Sequence, residues 1–280
     1  MKKTRGMKKP APAGRPASPA RVSDAKPRHQ SKTEEMFHGL RACEAIFARR
    51  PQEIVRVYVS HGRQRHFATL LELCARERKG FQIVADENLE RLTGSVHHEG
   101  IAILAKQVRR QDLTALLGRI ETSSLGPLVY LDGVQNPHNL GSILRTAAHF
   151  GAGAILGRSG DLPPLSPAAV RVAEGAAEFV PVCDLVDPVR DLERLKKAGW
   201  RVVVTSSHRG EPLFGAALGK KTVLVLGSEG EGVSRPIEAI ADLRARIPGT
   251  GAIESLNVSV ACGIVLAEAV RGAGGPVAAG

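Results

Sequence analysis

Apolar positions in this chain fall into short blocks whose spacing alternates between the period of a helix and that of a strand. Phe37, Leu40, Ala42, Ala45, Ile46 and Ala48 repeat at helical spacing and predict a helix over His38–Arg50, which Pro51 ends. Ile54–Ser60 alternates as a strand, and Phe67–Arg78 returns to helical spacing until Gly80 closes it. Phe81–Val84 reads as a short strand, Glu87–Leu92 as a helical turn and Gly100–Ala105 as a strand. Together these blocks predict a compact α/β unit at 34–106, about 70 residues and within the range of domains that fold alone.

Residues 107–124 are polar at both ends around Leu113, Leu116, Leu117 and Ile120, the pattern of a helical linker. From Leu125 to residue 274 strand and helix alternate. Strands are predicted at Leu128–Leu131, Ala154–Leu156, Phe179–Val182, Trp200–Thr205 and Thr222–Leu226. Helices are predicted at Leu140–Phe150, Ala168–Ala177 and Val189–Ala198. Repeated βα units imply a mostly parallel sheet with helices on both faces. A last strand follows, in which Leu243, Ala245 and Ile247 alternate with Asp242, Arg244 and Arg246. Pro248, Gly249 and Gly251 break it into a loop whose backbone can approach a ligand. Leu256–Val270 carries one charged residue, Glu268, so the final helix is apolar nearly all round and expected to be buried. Ser255 and Asn257 open that helix. They fit either a ligand wall or an N-cap followed by a first-turn polar residue.

Composition adds the setting. The chain has 280 residues, 43% of them hydrophobic, enough for two ordinary domains with real cores. No apolar run is long enough for a transmembrane helix, and the basic N-terminus lacks the apolar stretch of a secretory signal. Cys43, Cys74, Cys183 and Cys262 are scattered without metal-type spacing and read as packed, reduced thiols of a cytoplasmic protein. The net charge of +11 is uneven: residues 1–32 hold ten Lys and Arg against one Asp, so the rest of the chain carries only +2. The Pro-, Ala- and Ser-rich arm at 1–33 is expected to be disordered, and a short tail is expected at 275–280. Such an arm suits phosphate contacts with nucleic acid or plain solubility. His61, Arg63, Arg65 and His66 share one loop, which suits a phosphate contact or a solvated turn. The neighbours His97 and His98 point to opposite faces of a strand, which argues against a shared metal ion.

A dinucleotide or ordinary methyltransferase site needs a Gly-rich turn after the first strand. The first strand of the larger domain instead runs into Asp132-Gly133-Val134-Gln135-Asn136-Pro137-His138-Asn139, and no P-loop occurs. Glycines gather late, in Gly227-Ser228-Glu229-Gly230-Glu231-Gly232 and in Pro248-Gly249-Thr250-Gly251, and both sets follow strands. Ligand chemistry therefore belongs near the C-terminal end of the chain.

Three segments in order carry a resemblance: Asn136-Pro137-His138-Asn139 through Arg145, Leu226-Gly227-Ser228-Glu229-Gly230-Glu231-Gly232, and Ile247-Pro248 through Ser255-Leu256-Asn257-Val258. They resemble the SpoU (TrmH) family of SPOUT RNA methyltransferases over about Leu125–Arg271, and residues from Glu34 to Lys106 are more loosely similar to the family's L30-like RNA-binding domain. Gly249 stands where many members carry Met. The resemblance implies an α/β SPOUT domain with a deep trefoil knot, S-adenosylmethionine among the knot loops, and a homodimer whose active site draws on both subunits. It implies cofactor contacts at Leu226, Gly227, Ser228, Ile247, Leu256 and Asn257. It also implies a catalytic set of Asn139, Arg145, Glu229, Ser255 and Asn257, with no metal and no membrane. Gly227 fits a purine lying against main chain, where a Cβ is not tolerated. Asn139 could cap its helix while Arg145 points towards RNA.

The implied reaction is methyl transfer to a ribose 2′-hydroxyl, a weak nucleophile that needs alignment and proton removal. Arg145 can be read as the base assisted by an RNA phosphate, or as a fork that stabilises developing charge, since a guanidinium stays protonated. Glu229 can equally be a structural carboxylate that bonds loop amides. The expected substrate is ribosomal RNA, with transfer RNA as the alternative. A catalytically silent RNA-binding or ribosome-assembly protein is the rival class, and a small-molecule or protein methyltransferase fits the N-terminal unit and arm less well.

Overall fold

The computed structural model describes residues 33–122 and 125–274; the expected arm (save Thr33) and the tail lie outside the described residues. The first unit runs β1 (Glu34–His38), α1 (Leu40–Arg49), β2 (Ile54–Ser60), α2 (Ala68–Arg76), β3 (Gly80–Val84), α3 (Asp86–Thr93) and β4 (Ile101–Lys106). Its four strands lie in the order β1-β4-β2-β3. Strand β1 is absent from the sequence reading, which carries Phe37 into the first helix. Phe37 and Met36 are both buried because the sheet is covered on both faces, Phe37 towards the main core and Met36 with Tyr58, Leu89 and Ala102. Two adjacent apolar residues therefore show no alternation, and Phe37 happens to fall in phase with the helix behind it.

The segment expected as a helical linker contains β5 (Gln111–Asp112) and α4 (Leu113–Thr122), and β5 joins the larger sheet beside a later strand. The chain continues β6 (Leu128–Asp132), α5 (Pro137–His149), β7 (Ala154–Arg158), α6 (Pro167–Val172), β8 (Val182–Leu185), α7 (Pro188–Lys197) and β9 (Arg201–Ser206). It ends β10 (Glu211–Pro212), β11 (Thr222–Gly227), α8 (Arg235–Ala239), β12 (Leu243–Arg246) and α9 (Val258–Gly272). Helices α5, α6 and α7 start where an Asn, Ser or Asp precedes Pro, and the first residue of each pair caps the helix with its side-chain oxygen. All pairs in the eight-stranded sheet are parallel, in the order β10-β12-β9-β11-β6-β7-β8-β5.

Both faces of this sheet are apolar and both are covered. Val129, Leu131, Val203, Leu224 and Leu226 pack with α5 and α9, while Leu128, Tyr130, Val202, Val204 and Val225 pack with α4, α7 and α8. Gly141 lets α5 cross α6 closely, since a Cβ there would meet Ala169 O at 2.7 Å. All four cysteines are free and buried, and burial pushes the Cys183 and Cys262 thiols up to about 12.

Two expectations need correction. Phe179 lies outside the strand predicted from 179: it follows a short 3-10 turn at Ala176–Glu178, is 54% exposed, and sits under the Arg49 guanidinium at 5.2 Å. A contact with the first unit thus overrides its β propensity. Helix α9 is also not wholly buried. Val260 is 52% exposed and Ala267 is exposed, so a single copy covers only one side of an apolar helix.

Glu268 fastens that helix. It accepts hydrogen bonds from Arg271 (2.7 and 2.6 Å) and from the Gly215 amide at 3.3 Å. The Arg271 bonds hold its carboxyl below the usual range, against the opposing effect of burial and with help from the Gly215 amide. A carboxyl depressed in the folded state stabilises above its unfolded pKa of about 4.3 and loses that contribution as pH falls through the folded value. Glu268→Gln should therefore flatten the acid limb of a urea-denaturation profile taken from about pH 5 downwards. An acid limb identical to wild type would contradict this role.

Candidate active site

Strands β6, β11 and β12 are parallel and end at Asp132, Gly227 and Arg246, with Gly227 in register with Asp132. The loops that carry the three sequence segments therefore leave from one edge, the carboxyl edge where open α/β sheets bind ligands. Asp132 Oδ2 accepts from the Ser234 amide at 2.7 Å and so ties the loop after β11 to the end of β6. Sequence reasoning did not single out Asp132, whose only signal is the Asp-Gly pair ending the first strand of the domain.

One carboxylate oxygen gathers this edge together. Glu229 Oε1 accepts from Asn257 Nδ2 at 2.8 Å, Asn139 Nδ2 at 3.2 Å and the Val258 amide at 3.4 Å. Asn257 Nδ2 also donates to Asn139 Oδ1 at 3.2 Å. Asn257 is the N-cap of α9: its Oδ1 accepts from the Ser259 amide at 2.9 Å and from Ser259 Oγ at 2.6 Å. Ser259, unremarked in the sequence, thus fixes which way the Asn257 amide faces. Every polar atom of Asn257's side chain is engaged, so its orientation is set before any ligand arrives. Glu229 also lies at the positive end of α9, where a carboxylate is stabilised.

Capping differs from both sequence readings. Asn257, not Ser255, caps α9, and Ser255 is exposed without a hydrogen bond among the described residues. At α5 the cap is Asn136, which accepts from the His138 amide at 2.9 Å, while Asn139 lies inside the first turn with its amide turned to Glu229. Arg145 does not join this group. It is exposed on α5 and pairs with Glu174 at 2.9 Å. Of the expected catalytic residues, then, one chain brings together Asn139, Glu229 and Asn257.

Among the expected cofactor contacts, Leu226 is buried beneath the edge and Ile247 packs partly on the core, while Leu256 is 46% exposed. Residues 248–257 are all exposed, and among the described residues no main-chain to main-chain hydrogen bond involves Gly249–Leu256. A side-chain pair, His208 Nε2 to Glu254 Oε1 at 3.1 Å, links this loop to the turn after β9.

The metal-type and phosphate-type clusters of the first unit take separate courses. His98 is buried and accepts from the Gly100 amide at 3.0 Å, whereas His97 is exposed. His66 pairs with Glu44 at 2.8 Å and Arg63 donates to Glu99 O at 3.2 Å, leaving His61 and Arg65 exposed.

A doubly covered parallel sheet whose carboxyl edge holds an amide–carboxylate cluster and a free glycine-rich loop defines an α/β ligand-binding domain, here joined to a smaller four-stranded unit. A model of the SpoU rRNA Methylase family matches residues 126–267, and one described as RNA 2'-O ribose methyltransferase substrate binding matches residues 37–111. The 23S rRNA (guanosine-2'-O-)-methyltransferase RlmB of Photorhabdus laumondii is 36% identical over 85% of this chain and 98% of its own length. An uncharacterized tRNA/rRNA methyltransferase, YfiF, of Escherichia coli O157:H7 is 37% identical over 86% of this chain and 69% of its own. In fold, the AdoMet-bound rRNA methyltransferase of Sinorhizobium meliloti matches with a TM-score of 0.70 at 24% identity, covering 85% of this chain and 87% of that one. The chain belongs to the SpoU methylase family.

Gly227 has a different reason from the one its sequence suggests. A Cβ there would overlap the carbonyl of Gly232 and the amide of Val233, because the loop folds back on itself through the Gly232 amide to Ser228 O bond of 3.0 Å. The fold already requires glycine here before any ligand is considered. Gly227→Ala should therefore destabilise the ligand-free protein by about 2 kcal/mol, in the range of overpacking costs. A urea midpoint unchanged from wild type would contradict this.

Proposed function

We propose that this protein is a homodimeric enzyme that transfers a methyl group from S-adenosylmethionine to a ribose 2′-hydroxyl of ribosomal RNA. The observation that carries the reading is the meeting of Asn139, Glu229 and Asn257, from segments up to 118 residues apart, at the ligand edge of a SpoU-family sheet. Relatives matching 85% of the chain are named for 23S rRNA, which favours ribosomal over transfer RNA. Residues 34–106 serve as the RNA-holding unit and 125–274 as the methyltransferase unit, acting in the cytoplasm; no helix of the described residues is long and apolar enough to cross a membrane.

The loops suit the cofactor. Gly230 and Gly249 have open space where a Cβ would stand, and the free main chain of 249–256 offers donors and acceptors to a nucleoside. Leu226, Gly227, Ser228, Ile247, Leu256 and Asn257 would hold it, with Leu226 and Ile247 as the apolar floor. Bound there, S-adenosylmethionine supplies an electrophilic methyl group on a sulfonium.

This chain's own groups orient and stabilise. Glu229 keeps Asn139 and Asn257 in one arrangement and acts as the structural carboxylate, its Oε1 already accepting from two side chains and one amide. The Arg145 guanidinium serves as the fork, stabilising negative charge on the ribose oxygen as it takes the methyl group from the sulfonium and its proton passes to solvent. Ser255, exposed beside Leu256, lines the same loop and is left open to ligand.

Arg145 reaches such a site only from a second copy. It follows Asn139 by six positions, so the two side chains leave α5 about 120° apart around the helix axis and face different surroundings. Ile253, Leu256 and Val260 are 80%, 46% and 52% exposed beside the edge, an apolar area that a two-fold partner would cover. A threaded C-terminus agrees with the packing of α9: a Cβ at Gly272 would overlap the Leu218 carbonyl, and Glu268 bonds Gly215 in the same segment.

Mixed dimers test the whole reading. Arg145→Ala and Asn139→Ala chains should each fail to methylate 23S rRNA from a strain lacking this gene. Hybrids of the two should recover activity, because one of their two sites then has both native groups. Activity in either variant alone, or verified hybrids without activity, would refute it.

A further inference from the structure

The single chain leaves Arg145 on Glu174, and the surroundings of Glu174 explain why that contact matters. Glu174 is not glycine yet sits in the left-handed region with φ 47, directly before Gly175 at φ 82. A bulky residue held in that region persists only where its surroundings impose it, and such positions gather at functional sites. The first unit does the imposing. Gly175 lies flat against α1, where a Cβ would meet Arg41 O at 2.9 Å and crowd the Ala45 methyl. Four residues after Glu174, Glu178 is held bidentately by one edge of the Arg50 guanidinium, Nε to Oε2 at 2.7 Å and Nη2 to Oε1 at 2.9 Å. That pair is nearly buried, with 10% and 3% of the two side chains exposed. Phe179 then packs under Arg49. The turn from Glu174 to Phe179 is therefore clamped by α1 of the substrate-binding unit at three successive points.

The clamp ends at the guanidinium. Glu174 Oε1 accepts from Arg145 Nη1 at 2.9 Å, and among the described residues Nε and Nη2 have no partner and can turn to substrate oxygens. An exposed ion pair contributes little to stability by itself. What a fixed carboxylate can do is choose among the rotamers of a long, mobile side chain, and arginine has much rotamer freedom to lose. We propose that Glu174 is a positioning residue: it orients Arg145 for the reaction, and it takes its own position from the substrate-binding unit through the Gly175 contact and the Arg50–Glu178 pair. The inference rests on Arg145 being catalytic, and adds the group that aims it.

Three variants of the full-length protein, Glu174→Gln, Glu174→Asp and Arg145→Ala, test this on 23S rRNA from a strain lacking the gene, with labelled S-adenosylmethionine. Glu174→Gln should lower kcat by about ten- to a hundredfold, the scale of small misplacements at a reacting centre. Cofactor affinity by calorimetry, RNA KM and Tm should stay at their wild-type values, and Glu174→Asp should recover part of the lost kcat. Wild-type kcat in Glu174→Gln would overturn the proposal. A fall in kcat accompanied by lost cofactor affinity or a lower Tm would overturn it too, because a merely structural residue behaves that way. The Arg145→Ala chain separates the two layers. If it remains active, the catalytic reading of Arg145 fails; if it is inactive while Glu174→Gln is normal, only the positioning role fails.

Discussion

Three loops distant in sequence meet because a carboxylate oxygen on one of them accepts from the other two. Glu229 Oε1 holds the side chains of Asn139 on α5 and Asn257 at the cap of α9, together with the first amide of that helix. Each bond would contribute modestly in isolation, but a network with a shared charged acceptor is stiffer than its parts. The parallel sheet supplies the stage, since β6, β11 and β12 end on one edge. The carboxylate then fixes the loops that the strands only deliver.

A second fixture lies about a third of a turn around α5 from Asn139. There the substrate-binding unit presses on the turn that holds Glu174, and Glu174 holds Arg145. Helix α5 thus carries Asn139 towards Glu229 at the sheet edge and Arg145 towards Glu174 beside the smaller unit. One side of α9 at Val260 and the nearby Leu256 stay exposed in the single chain. The core agrees with this economy: buried residues of α1, β2 and β4 belong to the same apolar cluster as those of α5, α6 and α9, so the smaller unit is not loosely tethered.

Much of this was legible where a single period ruled. Strand β2 begins and ends where alternation says it should, at Ile54 and Ser60, and the helices expected from Leu140, Ala168 and Val189 open one to three residues earlier, each at a proline. Strand β1 was not legible, because Met36 and Phe37 are both buried on opposite faces and leave no alternation to read. Phe179 was misread because its environment is a cation from another unit. Residue types pointed to loops that the fold does bring to one edge, but not to their local structure: Asn257 caps its helix, Asn139 does not, and a Cβ at Gly227 would meet Gly232. Glu174 left no mark, since its importance comes from a backbone angle and a neighbour that only the fold supplies.

Hydrogen–deuterium exchange on ligand-free wild-type and Glu229→Ala protein measures the central constraint most directly. Loss of the shared acceptor should speed exchange at Val258–Ala261 and across residues 226–234, while the amides of β6 and β9 keep their wild-type protection. Unchanged exchange at both loops would mean that the carboxylate does not hold this edge together.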